Sequence, residues 1–338
     1  MEDNILWYDV RDWGVEGRGW NATESYFDRL PAKAKGVVRD QVWGLSQNSA
    51  GMAVRFEADT PAIWARYTLR SGVIGMPHMP ATGVSGLDLY GRGADARWHW
   101  LGVTQPQGVA VKALLAGGIE PGRREYRAYL PLYNGVKSLE IGVPAKAAFA
   151  PLAPRKEKSI VFYGTSIMQG GCASRPGMAF AAILGRRLDQ PTINLGFSGS
   201  AIMEPEVGSL LAELDASVFV VDCLPNMSDA LVAQRTEPLV RQLRNAHPET
   251  PIVLVEDRTF AAAALQPGER QAHAARRAAL KTAYRNLQAA GVKGLAYVKG
   301  EHLLGDDGEG TVDSSHPNDL GMMRMADAME PVLKKLLQ

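Results

Sequence analysis

The patterning of this chain changes once, near Lys158, and that change limits it to two differently built halves. Before it, short runs alternate apolar and polar residues, at 52–56, 63–68, 86–90, 97–101, 124–130 and 138–142. A strand shows successive side chains to opposite faces. Period-two runs broken by Gly, Pro and Asp therefore predict an antiparallel β-sandwich. After the change, apolar runs at 159–163, 192–197, 218–222, 251–255 and 294–298 alternate with helical spacing at 176–188, 229–246, 268–290 and 318–336. Strands buried on both faces and separated by helices predict a parallel sheet covered on both sides. The segment 150–158, with Pro151, Pro154 and four charges, reads as the linker. The expected domains are 1–152 and 153–338, which suits a chain of 338 residues.

Composition narrows the partners. Lys+Arg 37 against Asp+Glu 36 leaves a net charge of +1, which gives no footprint for nucleic acid or an anionic membrane surface. No apolar run is long enough to span a bilayer. The opening Met1, Glu2, Asp3 and Asn4 lack a basic and then apolar leader, so the chain as it stands is expected in the cytoplasm. A periplasmic or secreted protein relieved of its signal is the other expectation. Oligomeric state is not legible. Cys172 and Cys223 are too few for a disulfide framework and form no C-x-x-C pair. They read as small buried thiols, with a bridge between them left open because both fall at strand ends.

The chemistry lies in five residues of the second half: Ser166, Gly196, Asn226, Asp313 and His316. Ser166 to Gly196 and Gly196 to Asn226 are each 30 residues, about one βαβ unit. Each residue falls at or just past a predicted strand end, and in a parallel sheet those ends share one edge. A serine hydroxyl needs a base, which His316 supplies; Asp313 receives the other ring N–H and fixes the tautomer. The Gly196 N–H, the Asn226 amide and the Ser166 N–H are the expected oxyanion donors. Pro317, with its preset φ, is expected to start the final helix. Taken singly, each residue also has a structural reading as turn, cap or close-packing glycine; the ordered set favours a site. His78, His99, His247, His273 and His302 read as surface or packing residues. No His-Glu-x-x-His, Walker loop or Gly-x-Gly-x-x-Gly is present, so no metal and no cofactor are expected.

These residues resemble the SGNH, or GDSL-type, hydrolases. Ser166 in Gly164-Thr165-Ser166-Ile167, Gly196 after Asn194, Asn226, and Asp313-x-x-His316-Pro317 look like the family's four blocks. Gly86-Leu87-Asp88-Leu89-Tyr90 resembles the GxDLY signature of an N-terminal β-domain fused to such esterases, and 170–177 is similar to that subgroup. The resemblance implies a three-layer α/β/α flavodoxin-like catalytic domain preceded by a jelly-roll-like β-sandwich. It also implies a serine acetylesterase acting on a small-molecule or oligosaccharide ester. Thr165 stands where the family usually has Asp, and Met227 follows Asn226 where Asp is usual. Arg175 reads either as a substrate-binding residue or as an exposed loop arginine. All seven tryptophans lie before residue 101, which fits sugar stacking or, more simply, a β-sandwich core. Two other readings stay open: an acyltransferase using the same triad, and a sugar-binding module carrying a decayed hydrolase domain.

Overall fold

The computed structural model describes residues 4–338. The leader reading rests on Met1, Glu2 and Asp3, which lie outside the described residues. Two compact units emerge. One takes in the chain as far as Ala32, then Ser46–Lys156 and Ser174–Gly177; the other holds Lys33–Leu45, Glu157–Ala173 and Met178–Gln338.

Among the described residues the first unit contains nine strands: β1 (Ile5–Asp9), β2 (Ala53–Asp59), β3 (Ala62–Leu69), β4 (Asp88–Arg92), β5 (Trp98–Val103), β6 (Ala110–Gly117), β7 (Arg124–Tyr129), β8 (Val136–Pro144) and β9 (Ala148–Pro151). They form two antiparallel sheets, ordered β1-β8-β3-β6 and β5-β4-β7-β2-β9. Alternation does the sorting. Val54, Phe56 and Ala58 from one sheet meet Ile63, Ala65 and Tyr67 from the other in one buried core. Three strands escape the sequence pattern. β6 reads Ala-Val-Lys-Ala-Leu-Leu-Ala-Gly, a helix-favouring composition, yet its pairing with β3 from Ala62 to Thr68 makes it a strand. β1 pairs with β8, and β9, which pairs with β2, occupies the start of the expected linker.

The tryptophans do not build that core. None belongs to the buried cluster, although Trp13 packs against it. Outward-facing indoles instead carry guanidinium groups: Arg66 over Trp7 at 4.5 Å, Arg127 over Trp98 at 4.7 Å, and Arg175 over Trp100 at 4.6 Å.

Two short helices, α1 (Asp40–Ser46) and α2 (Ala81–Val84), interrupt the first half of the chain. The second unit then alternates β10 (Ser159–Gly164), α3 (Ser166–Gln169), α4 (Phe180–Arg187), β11 (Thr192–Gly196), α5 (Pro205–Leu211), β12 (Ala216–Asp222), α6 (Asp229–Ala246), β13 (Ile252–Val255), α7 (Pro267–Ala289), β14 (Leu295–Val298) and α8 (Asp319–Leu336). The five strands are parallel in the order β11-β10-β12-β13-β14, the flavodoxin-like arrangement. Helix α4 packs with α8, and α6 with α5 and α7. The strand order reverses at β10, so the crevice where open α/β sheets take ligands lies at its carboxyl end. The expected helix at 176–188 divides there, into a 3-10 turn at Pro176–Met178 and α4. No described helix is long and apolar enough to cross a membrane.

Candidate active site

Gly164 ends β10 because no side chain fits: a Cβ there would lie 2.5 Å from Asp222 O. Thr165 Oγ1 then caps the next helix by accepting the Ile167 N–H at 3.3 Å, so threonine serves locally where the family usually has Asp. Ser166 opens α3, and Gly170 closes it at φ +114°. The nearly buried Ser166 Oγ lies 2.9 Å from His316 Nε2.

His316 is held by a tight turn. Asp313 Oδ1 accepts the backbone N–H of His316 at 2.8 Å and of Ser315 at 3.2 Å, while Oδ2 faces His316 Nδ1 at 2.7 Å. With Nδ1–H donating to Asp313, Nε2 keeps its lone pair for the Ser166 hydroxyl proton. Burial works to raise the Asp313 pKa, but the hydrogen bonds and charge from His316 and the Ser315 N–H outweigh it and hold the carboxyl below its ordinary range. The turn needs Ser314 at φ +76°. That conformation is pinned from outside: Ala261 N–H donates to Ser314 O at 3.0 Å and Ala262 N–H to Ser314 Oγ at 2.8 Å. Pro317 does not start the final helix. It bridges Thr311, and Asn318 caps α8 by accepting the Gly321 N–H at 3.0 Å.

The expected oxyanion donors divide. Asn226 ends a 3-10 turn (Leu224–Asn226) just past β12. In the amide orientation that satisfies its neighbours, its Oδ1 accepts from Ser200 N–H at 3.0 Å and Ala201 N–H at 3.2 Å, which leaves the NH2 group as donor. Met227, in place of Asp, is simply buried, and Ser228 caps α6. Gly196 is engaged differently from expectation. Its N–H donates to Asn194 Oδ1 at 2.9 Å, and a Cβ there would meet Gln169 N at 2.2 Å, so its smallness lets α3 lie against β11. Gly199, which sequence reasoning missed, sits three residues on at φ +64° and is exposed. Its N–H has no hydrogen-bond partner among the described residues, and its neighbour Ser200 touches Asn226. The signal was present as Ser198-Gly199-Ser200, a turn directly after the strand.

Gln169 Oε1 accepts the Ser198 N–H at 3.2 Å, which ties this turn to α3, the helix that Ser166 opens. Farther along, Arg39 Nε donates to Glu204 Oε1 at 2.6 Å and its Nη2 to Ser200 O. Arg39 comes from Lys33–Leu45, a segment no sequence pattern assigns to this unit.

Arg175 is placed with the GxDLY strand. Its Nη1 donates to Asp88 Oδ2 at 3.0 Å and to Tyr90 OH, with the guanidinium resting on Trp100. Asp88 also accepts Gly177 N–H at 2.7 Å and Trp100 Nε1–H at 2.7 Å. The guanidinium is therefore not an exposed loop group: it is held by the GxDLY strand. Cys172 and Cys223 are buried and unbridged, which closes the disulfide question. Burial, with the Asp313 charge, pushes the Cys172 thiol up to about 12; burial lifts Cys223 well above its ordinary value. His273 does have an acidic partner, Asp257 Oδ2 at 2.7 Å from Nδ1, but its Nε2 accepts the Phe260 N–H at 3.3 Å, which makes the pair structural.

Comparison with known proteins bears on this arrangement. The GDSL-like lipase/acylhydrolase family matches residues 157–334, and the GxDLY N-terminus of SGNH-hydrolase-type esterases matches residues 5–149. A Bacteroides ovatus chain named for its likeness to GDSL lipases is 36% identical, with a TM-score of 0.93 over 99% of this chain and 98% of its own. The salicylyl-acyltransferase SsfX3 from a tetracycline biosynthetic pathway shares the fold at 18% identity and TM-score 0.80, over 99% of this chain and 98% of its own. So does a family two carbohydrate esterase from Cellvibrio japonicus, at 14% identity and TM-score 0.63, over 98% of each chain. Among curated proteins no sequence matches. The chain belongs to the GDSL-like lipase/acylhydrolase family, as an SGNH-type esterase with an N-terminal GxDLY domain.

Proposed function

We propose that this protein is a serine esterase that removes short acyl groups, acetyl foremost, from carbohydrate esters. The observation that carries the reading is the relay from Ser166 Oγ to His316 Nε2 (2.9 Å) and from His316 Nδ1 to Asp313 (2.7 Å). Ser166 Oγ attacks the acyl carbon as its proton passes to His316 Nε2. Asp313 steadies the imidazolium, which returns the proton to the departing sugar alkoxide. Water then attacks the acyl-enzyme by the same relay, releasing the acid and regenerating Ser166. The developing oxyanion is stabilised by the Ser166 N–H, the Asn226 amide and, in place of Gly196, the Gly199 N–H. Arg175, whose guanidinium is held by Asp88 and Tyr90, is given a structural role in this reading.

The carbohydrate assignment draws support from the fold shared with a family two carbohydrate esterase. A panel of acetylated oligosaccharides, read by acetate release, tests it: turnover of none of them, with turnover of other esters, sinks that assignment. The full-length fold shared with an acyltransferase favours one second reading, transfer to an alcohol acceptor in place of water. Product partition with a free sugar present separates the two, since mostly transferred acyl groups would replace hydrolase by transferase.

A further inference from the structure

Beneath the sheet edge lies an ion pair that the reaction above does not use. Asp222, the last residue of β12, and Arg258, three residues past β13, are both fully buried. Arg258 Nη2 lies 2.5 Å from each carboxylate oxygen of Asp222. Among the described residues Arg258 Nε and Nη1 have no partner, so Asp222 is the contact that holds this side chain. Burying two charges this way is a poor route to stability, because the desolvation cost consumes most of the attraction. A role in placement is the better account.

What the pair joins points to that role. On the Asp222 side, the backbone carbonyl accepts the Thr165 N–H at 3.3 Å, one residue before the nucleophile, and the chain runs from Asp222 straight into the turn ending at Asn226. On the Arg258 side, the chain continues to Ala261 and Ala262, whose N–H groups pin Ser314 inside the 313–316 turn. The same segment is fastened from below: Asp257 O accepts Arg277 Nε at 2.7 Å, Asp257 Oδ2 accepts Arg276 Nε at 2.6 Å, and Thr259 Oγ1 accepts Arg277 Nη2 at 2.7 Å. The nucleophile's strand end, the Asn226 donor and the acid–base turn thus meet through one buried contact.

We infer that Arg258 is a positioning residue: through Asp222 it keeps the Asn226 oxyanion donor in register with Ser166 and with the Asp313–His316 pair. The inference rests on the esterase reading of that site. Positioning of a donor is felt in the transition state more than in substrate binding, so kcat should fall while KM holds.

Two variants test it. Arg258→Lys keeps the charge but, with a shorter stem, no longer sets a nitrogen where Nη2 meets both Asp222 oxygens. The neutral pair Asp222→Asn/Arg258→Gln removes both buried charges and, because Gln is shorter, the contact as well, so it tests placement without leaving an unpaired buried charge. Each is assayed for kcat and KM on 4-nitrophenyl acetate, alone and combined with Asn226→Ala, beside Ser166→Ala. The expected result is a kcat about 10- to 100-fold lower with KM within about threefold, and combined losses well short of the product of the single ones. Native kcat in either folded variant, or losses that multiply with Asn226→Ala, would overturn the inference. An active Ser166→Ala would instead overturn the esterase reading on which it stands.

Discussion

Gly196 and Asn194 are joined across one residue: the Gly196 N–H donates to Asn194 Oδ1 at 2.9 Å, and Asn194 Nδ2 donates to Met168 O at 2.7 Å. The asparagine therefore ties the end of β11 to α3, the helix of Ser166, and Gly196 provides the space for it. Asn226, two strands away and half-buried, turns its NH2 group outward from the Ser200 and Ala201 N–H groups as a donor. The two residues should fail differently when changed. Gly196→Ala drives a methyl into the Gln169 backbone and is expected to cost about 3 kcal/mol, a Tm loss of roughly 6–12 °C. Asn226→Ala should leave Tm within a few degrees while kcat falls about a hundred- to a thousandfold. Thermal melts and initial rates on the two proteins check the division; a stable Gly196→Ala would refute the packing role.

Asp313→Asn keeps the shape of the turn but can no longer hold the imidazole tautomer or its charge. The expected loss is about a thousand- to ten-thousandfold in kcat on 4-nitrophenyl acetate, with KM little changed. Loss confined to KM would contradict the assigned role.

The pH dependence of stability follows from the same carboxylate. Burial favours its neutral form, but the hydrogen bonds from His316 and Ser315 win, and the folded pKa lies below the ordinary carboxylate value. A lowered carboxylate pKa contributes stability that is fully present above the unfolded value, about 4, and is lost as pH falls through the folded one. The Tm difference between the native protein and Asp313→Asn should therefore be constant from about pH 8 to 5 and shrink below about pH 4. A gap that closes between pH 7 and 5 would contradict it.

Arg175 separates structural from substrate roles. Its removal strips Asp88 of its ion-pair partner and Trp100 of the group lying on its face. Arg175→Ala is expected to lower Tm with KM for acetylated oligosaccharides unchanged, because breaking a buried pair costs about 3–5 kcal/mol. A raised KM at unaltered Tm would return Arg175 to the substrate.

Both thiols should be silent in the native state. Burial keeps Cys172 and Cys223 protonated at neutral pH, and neither is bridged. A thiol-disulfide indicator dye at pH 8 should titrate none in the folded protein and two after denaturation. Rapid native labelling of either would overturn the burial argument.

Much of this was legible in the residues themselves. The switch from period-two to helical spacing near Lys158 predicts both architectures, because side-chain periodicity is local. Ser166, Asp313 and His316 stood out because their chemistry requires each other, and they lie within hydrogen-bond reach of one another. What failed depended on long-range pairing. The helix-favouring β6 becomes a strand only against β3, and Arg39 joins the Ser200 turn from 161 residues upstream. Gly196 and Gly199 are only three residues apart, and only the backbone hydrogen bonds tell which N–H is engaged. The tryptophans misled for another reason: a large apolar ring reads as core, yet an indole face also seats an arginine.

Ser166 is the residue on which ester cleavage depends most directly. Steady-state turnover of 4-nitrophenyl acetate by purified, folded Ser166→Ala should fall to within about tenfold of residual oxyanion-site catalysis, some thousand-fold or more below the native enzyme. Native-like turnover from that variant would contradict the claim that this chain breaks esters through a serine nucleophile.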